Sequence, residues 1–126
     1  MLCPALIGVD GPPVFWPDID LYFKRDLGLA RNLVSQLADA GCTVLKCAAL
    51  HDPALCRPSA KQVSYYDRVS GCTVTEAYAD VVQRHVLPLS DLSAIVSGGR
   101  AGGMQLVISV YDIEGINFAV AEGAAA

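Results

Sequence analysis

Apolar and polar positions follow two different patterns along this chain of 126 residues. Three short apolar runs have the length and composition of strands buried on both faces: 5–9, 42–50 and 104–110. Between the first two, apolar residues recur every three or four positions over 27–38, which predicts a helix. Asp26 is the predicted N-cap of that helix, and Gly41 is its predicted stop.

Helical patterning returns in the second half of the chain. A helix is predicted over 75–85, with Thr75 as its cap, and Pro88 interrupts it. A further helix is predicted from Ser90 to Val96. The glycine-rich stretch 97–103 predicts a flexible segment, and the last short helix, from Ile113 to Val120, is stopped by Gly123.

This alternation of strands and helices is typical of βαβ units wound into a parallel sheet. The fold class predicted is α/β, and both an open sheet and part of a barrel satisfy it. The long polar connection 51–74 predicts a functional, lid-like or poorly ordered loop. A complete (β/α)8 TIM barrel needs eight units over roughly 250 residues. We therefore expect 1–126 to be the amino-terminal part of such a barrel, about its first three βα units, truncated at Ala126.

Composition narrows the possible functions. The chain is 53% hydrophobic and 17% charged, with a net charge of −4 and nine scattered basic residues, so nucleic-acid binding is not expected. No apolar run approaches the roughly 18 residues of a membrane span. The first residues lack the basic region and long apolar core of a signal peptide, which predicts a cytoplasmic protein.

Cysteines and histidines give little support to a metal centre. The five cysteines are odd in number and form no Cys-x-x-Cys motif, so a zinc site is not predicted. His51 and His85 are too far apart in sequence for a local ligand pair. His51 follows the strand 42–50 and could contact a ligand, whereas His85 is expected on a helix surface.

Lys46 is the one charge within the apolar run 42–50. A buried ammonium needs an anion, and ligands of open α/β sheets bind at the carboxyl ends of the strands, where Lys46 would lie. Two alternatives stay open. The lysine could extend from the strand end into solvent, or it could pair with a nearby aspartate.

Four stretches carry a resemblance when they are taken in order: Ile7-Gly8-Val9-Asp10, 26–30 with 41–46, 109–112, and 118–126. Together they resemble the amino-terminal part of the N-acetylneuraminate (sialic acid) synthase family. The resemblance implies a TIM barrel that condenses phosphoenolpyruvate with an N-acetylated amino sugar to give a nonulosonic acid. It also implies small-molecule substrates and a divalent metal (Mn or Mg), whose ligands would lie outside this chain. Self-association into a homo-oligomer is expected for a different reason, because a partial barrel leaves both edges of its sheet unpaired and 53% of the residues are hydrophobic.

Three residues are substrate-binding candidates under this resemblance. Lys46 takes the place of a lysine that binds the phosphate or carboxylate of phosphoenolpyruvate. Ser109 takes the place of a Thr or Ser whose hydroxyl donates to the same ligand. Asp10 lies where the family has an asparagine near the sugar pocket. The alternatives are that Ser109 caps the following helix and that Asp10 is a turn residue before Gly11.

The sequence also departs from the family pattern. The family has a glutamate that engages the sugar, and this chain has Leu6 at that position. The family's second strand usually ends in Lys-aromatic-Gln, where this chain has Lys46-Cys47-Ala48. Three functions therefore stay open. The chain could be part of a sialic-acid-synthase-like enzyme that is inactive alone, an aldolase-type barrel in which Lys46 forms a Schiff base, or a non-catalytic half-barrel that self-associates.

Overall fold

A computed structural model describes Gly11, 13–20, Phe23, 25–55 and 61–126. The predicted first strand, 5–9, and the candidate Asp10 lie outside these residues. The described elements, in chain order, are α1 (Leu27–Asp39), β1 (Val44–Ala48), a 3-10 turn (Pro53–Leu55), β2 (Gln62–Asp67), β3 (Cys72–Ala77), α2 (Tyr78–Gln83), α3 (Leu89–Ala101), β4 (Gln105–Ser109) and α4 (Ile113–Ala121).

Helix α1 forms as its sequence predicts. The Asp26 carboxylate accepts a hydrogen bond from the backbone N–H of Leu29 at 2.9 Å, which satisfies one of the free donors of the first turn. Gly41 follows the helix with φ of +82°, a left-handed conformation that glycine adopts at little cost.

Strands β1 and β4 pair in parallel, with Lys46 beside Val107 and Ala48 beside Ser109. The other edge of β1 is taken by a short segment around Asp18, because the Lys46 N–H donates to the Pro17 carbonyl at 3.0 Å. At the far edge of β4, Leu106 and Ile108 exchange backbone hydrogen bonds with residues 125 and 126. The described residues thus form a mixed α/β structure with parallel strands, and they do not close a barrel.

The sheet is packed on one face and partly open on the other. Leu45, Cys47, Leu106 and Ile108 face α1 and α3, where they form the main core with Ala30, Val34, Ile95 and Val96. Because side chains alternate along a strand, Val44 and Val107 face the opposite side, where they pack with Val14 and Trp16. Lys46 shares this second face.

The loop predicted over 51–74 is wrong from Gln62 onward, and the helix predicted from Thr75 is wrong in its start. Strands β2 and β3 form an antiparallel hairpin that continues to Ala77, so the following helix begins only at Tyr78. Polar side chains occupy both faces of the hairpin, including a 2.8 Å hydrogen bond between the Ser64 and Thr75 hydroxyls. The hairpin therefore lacks the one-sided alternation that identifies a half-buried strand.

The flexible segment predicted over 97–103 is also wrong, because α3 continues to Ala101. Gly99 is fully enclosed against the sheet, and an added Cβ there would lie 2.6 Å from Leu45 Cδ2. Gly99 therefore allows close packing of α3 on the sheet rather than flexibility. No helix within the described residues is long and apolar enough to cross a membrane.

Candidate functional site

The carboxyl ends of β1 and β4 bring two predicted site residues to one face of the sheet. Ser109 lies beside Ala48, two positions beyond the Lys46–Val107 pair. Residues two apart on a strand share a face, so Lys46 and Ser109 project to the same side with their Cα atoms about 8 Å apart. The alternative role of Ser109 as a helix cap is wrong, since Asp112 caps α4 through the Gly115 N–H at 2.7 Å.

Lys46 forms an ion pair with Asp18. Its Nζ donates to Asp18 Oδ2 at 2.5 Å, and the two side chains are 27% and 44% exposed. The hydrogen bond to Asp18 raises the pKa of Lys46, so its ammonium stays charged at neutral pH. The pairing with an aspartate that the sequence left open is therefore present, on the same face as Ser109.

Asp20 lies beside this pair and was missed by sequence reasoning. Its Oδ1 is buried and has no hydrogen-bond partner among the described residues. Burial, reinforced by repulsion from Asp18, raises the pKa of Asp20 to about 6, while Lys46 and the backbone of Ala48 act in the opposite direction. The signal was weak, because Asp20 sits in a proline-rich stretch with no periodic pattern.

A cavity of about 300 Å³ opens beside Asp20, between the end of β1 and helix α2. Its wall is mainly apolar, with aromatic and titratable side chains among its lining residues: Asp20, Ala48, Leu50, Tyr78, Val81, Val82, His85 and Tyr111. Pockets of this composition, with a few polar groups converging on an apolar space, are the usual form of small-ligand sites.

A larger cavity of about 810 Å³ lies along the hairpin and α2. Two of the charges at its wall pair with each other: Arg84 forms two hydrogen bonds to the Glu76 carboxylate, at 2.5 and 2.6 Å, and Tyr65 donates to the same group at 2.6 Å. Arg84 and then Tyr65 hold the pKa of Glu76 at about 2. This network joins the hairpin to the end of α2, and its groups are already satisfied.

His51, Asp112 and Glu114 form a third cluster, where the loop after β1 meets the start of α4. Their ligand atoms lie within 4.8 Å of one another, and His51 Nε2 is 3.2 Å from Asp112 Oδ2. An imidazole with two carboxylates is a donor set suited to a divalent transition metal. The sequence did not group these residues, because 61 positions separate His51 from Asp112.

Comparisons with known proteins support the fold. No family model and no curated protein matches the sequence. The α/β fold of the described residues is similar to part of the crystal structure of N-acetylneuraminic acid (sialic acid) synthetase from Leptospira borgpetersenii serovar Hardjo-bovis in complex with citrate. The two share 15% identity with a TM-score of 0.62, over 90% of this chain and 34% of that one.

A second solved structure, the endo-1,4-beta-mannanase from Rhizomucor miehei, matches 91% of this chain and 31% of its own at 14% identity, with a TM-score of 0.41. That score is too low to support any argument. The chain spans about a third of the length of either structure. The resemblance to sialic acid synthases is thus confirmed at the level of the fold.

Proposed function

We propose that this chain is the amino-terminal part of a sialic-acid-synthase-like barrel that condenses phosphoenolpyruvate with an N-acetylated amino sugar. The observation that carries the proposal is the placement of Lys46 and Ser109 on one face, at the carboxyl ends of two adjacent parallel strands. Active sites of (β/α) barrels lie at this end of the strands. We do not expect the 126 residues to be active alone.

In this proposal Lys46 and Ser109 bind the anionic phosphate or carboxylate of phosphoenolpyruvate. The ion pair with Asp18 does not prevent this, because an ammonium has three donors and Asp18 accepts from one of them. Asp18 lies on the segment that pairs with β1, and in this proposal its carboxylate takes the role of the sugar-binding glutamate whose position is Leu6 in the resemblance.

The resemblance places the ligands of the implied metal outside this chain, and His51, Asp112 and Glu114 would be a separate donor set, one that suits a divalent transition metal. A divalent cation supplies Lewis-acid polarisation of a bound oxygen. These three residues would hold the cation near the carboxyl ends of the strands, where Lys46 also lies.

The Schiff-base alternative is disfavoured by the state of Lys46. A nucleophilic lysine needs a lowered pKa to be neutral, whereas Asp18 raises the pKa of Lys46. Borohydride reduction in the presence of pyruvate should therefore leave no adduct on Lys46 by mass spectrometry. An adduct there would favour the aldolase-type reaction instead.

Calorimetry with phosphoenolpyruvate and with inorganic phosphate tests the proposed anion site. Lys46→Met should weaken binding by about 1.5–3 kcal/mol, the usual contribution of a hydrogen bond to a charged group, and Ser109→Ala by about 1 kcal/mol. Lys61→Met, which removes a lysine just before the hairpin, is the matched control and should bind as the wild type does. Equal affinities for all four proteins, or no binding by the wild type, would contradict the proposal.

A further inference from the structure

We propose that the cavity beside Asp20 binds a small organic cation, in the form of a primary ammonium group on a short apolar body. The cavity adjoins the proposed phosphate contacts, because Asp20 lies beside Lys46, but neither Lys46 nor Ser109 lines it. The inference goes beyond the condensation reaction and does not depend on it.

The charges around the cavity favour a cation. Lys46 donates to Asp18 outside the cavity, and the lining residues include no lysine or arginine. The imidazole of His85 is also at the lining, where its Nδ1 lies 2.6 Å from the Val81 carbonyl oxygen. The Oδ1 atom of Asp20 is buried without a hydrogen-bond partner among the described residues, which leaves a partly desolvated carboxylate. Placing an ammonium next to it offsets the cost of that burial, whereas an anion would be repelled by both Asp18 and Asp20.

The walls of the cavity suit the same ligand. Tyr78 and Tyr111 place two aromatic rings at its lining, and aromatic faces attract ammonium groups as well as apolar carbons. Leu50 and Val82 offer an apolar surface for the body of the ligand. The volume of about 300 Å³ is at the lower end of ligand pockets, so the ligand must be small.

Three probes of one shape separate charge from size: n-butylammonium, n-butanol and butyrate, titrated at neutral pH and followed by NMR chemical shifts of the backbone amides. Butylammonium should bind at least about tenfold more tightly than butanol, as expected for a charged hydrogen bond, and butyrate should bind more weakly than both. Asp20→Asn should remove the preference for the cation. Asp39→Asn, which removes an exposed carboxylate at the end of α1, should retain it.

A second pair of variants tests the walls without altering the carboxylate. Tyr78→Leu should weaken butylammonium binding several-fold, while Tyr78→Phe keeps it, because the ring rather than the hydroxyl attracts the cation. Wild-type protein that binds butanol as tightly as butylammonium would overturn the proposal, as would Asp20→Asn protein that keeps the preference. Phosphate affinity, measured on the same samples, reports the Lys46 site separately, so failure of one proposal is distinguishable from failure of the other.

Discussion

Asp18, Asp20 and Lys46 form a group of three charges with only one ion pair. Lys46 hydrogen-bonds Asp18, while the half-buried Asp20 lies beside them with no ion pair among the described residues. The sequence identified Lys46, because a charge stands out in an apolar strand. It could not identify either aspartate, because both lie in an irregular stretch and the fold alone brings Asp18 across 28 positions to Lys46.

The raised pKa of Asp20 predicts a specific dependence of stability on pH. Its folded pKa of about 6 lies above the ordinary aspartate pKa of 3.8, so the native state binds more protons than the unfolded state between these values. The free energy of unfolding should therefore fall as pH rises from about 4 through 6, and Asp20→Asn should flatten this slope. At pH 7.5 the variant should be more stable than the wild type by about 1 kcal/mol, less than the full shift would give because the carboxylate lines an open cavity.

Urea unfolding at pH 4.5, 6.0 and 7.5 measures this effect, with Asp39→Asn as the control that should follow the wild-type profile. An Asp20→Asn curve that runs parallel to the wild type at all three pH values would show that Asp20 titrates normally. A gain in stability at neutral pH, together with loss of cation binding, would be the trade-off expected of a site residue.

Among the helices and strands, those with a clear hydrophobic periodicity were predicted from the sequence, and those without one were missed. Helix α1 has an apolar stripe, a cap and a terminal glycine, and all three agree with the structure. The β2–β3 hairpin has neither an apolar face nor a two-residue turn, because residues 68–71 connect its strands. Its pairing depends on hydroxyl and charged contacts between side chains, which hydrophobic periodicity does not report.

Two adjacent glycines in α3 give opposite predictions. At Gly99, a Cβ would lie 2.6 Å from Leu45 Cδ2 and 3.4 Å from Leu106 Cδ2, so Gly99→Ala should lower the free energy of unfolding by about 1–3 kcal/mol. At Gly98 the nearest atom is Val34 Cγ1 at 3.5 Å, an ordinary contact. Gly98→Ala should therefore leave stability unchanged or raise it by up to about 1 kcal/mol through helix propensity.

Thermal or urea unfolding of both variants tests the close approach of α3 to the sheet. Similar stabilities for Gly98→Ala and Gly99→Ala would mean that α3 does not pack as closely on β1 as described. The two variants also distinguish a packed helix α3 from the flexible segment predicted over 97–103, since a flexible segment would tolerate alanine at both positions.

At the scale of the whole molecule, the parallel arrangement of the strands was predictable from the sequence, but closure of the sheet into a barrel was not. The order of strands and helices indicated a parallel sheet, and β1 and β4 form one. Closure into a barrel depends on strands that these residues do not supply, and the described sheet consists of two strands with short flanking segments. Unpaired sheet edges were the first reason to expect self-association. That reason is weakened, because backbone hydrogen bonds from the flanking segments cover part of both edges.

Helix α4 now gives the stronger reason to expect self-association of the 126-residue chain. Ile113, Ile116 and Val120 are 71%, 43% and 75% exposed, and their spacing of three and four residues places them along one side of the helix. An exposed apolar stripe of this kind is typical of a surface that contacts another protein or another part of the same protein. We expect the isolated chain to form dimers or larger species at micromolar concentration, in which copies cover this stripe.

Sedimentation velocity or light scattering over about 1–100 µM, a range that spans typical weak association constants, measures the assembly. The double variant Ile116→Glu with Val120→Glu should shift the protein towards monomer, because it places two charges on the stripe. Val69→Glu adds a charge at the hairpin turn, where the valine is 91% exposed, and should leave the assembly unchanged. A stable wild-type monomer across the whole range would contradict the prediction. If both charged variants dissociate the assembly equally, added negative charge rather than loss of the apolar α4 surface is responsible.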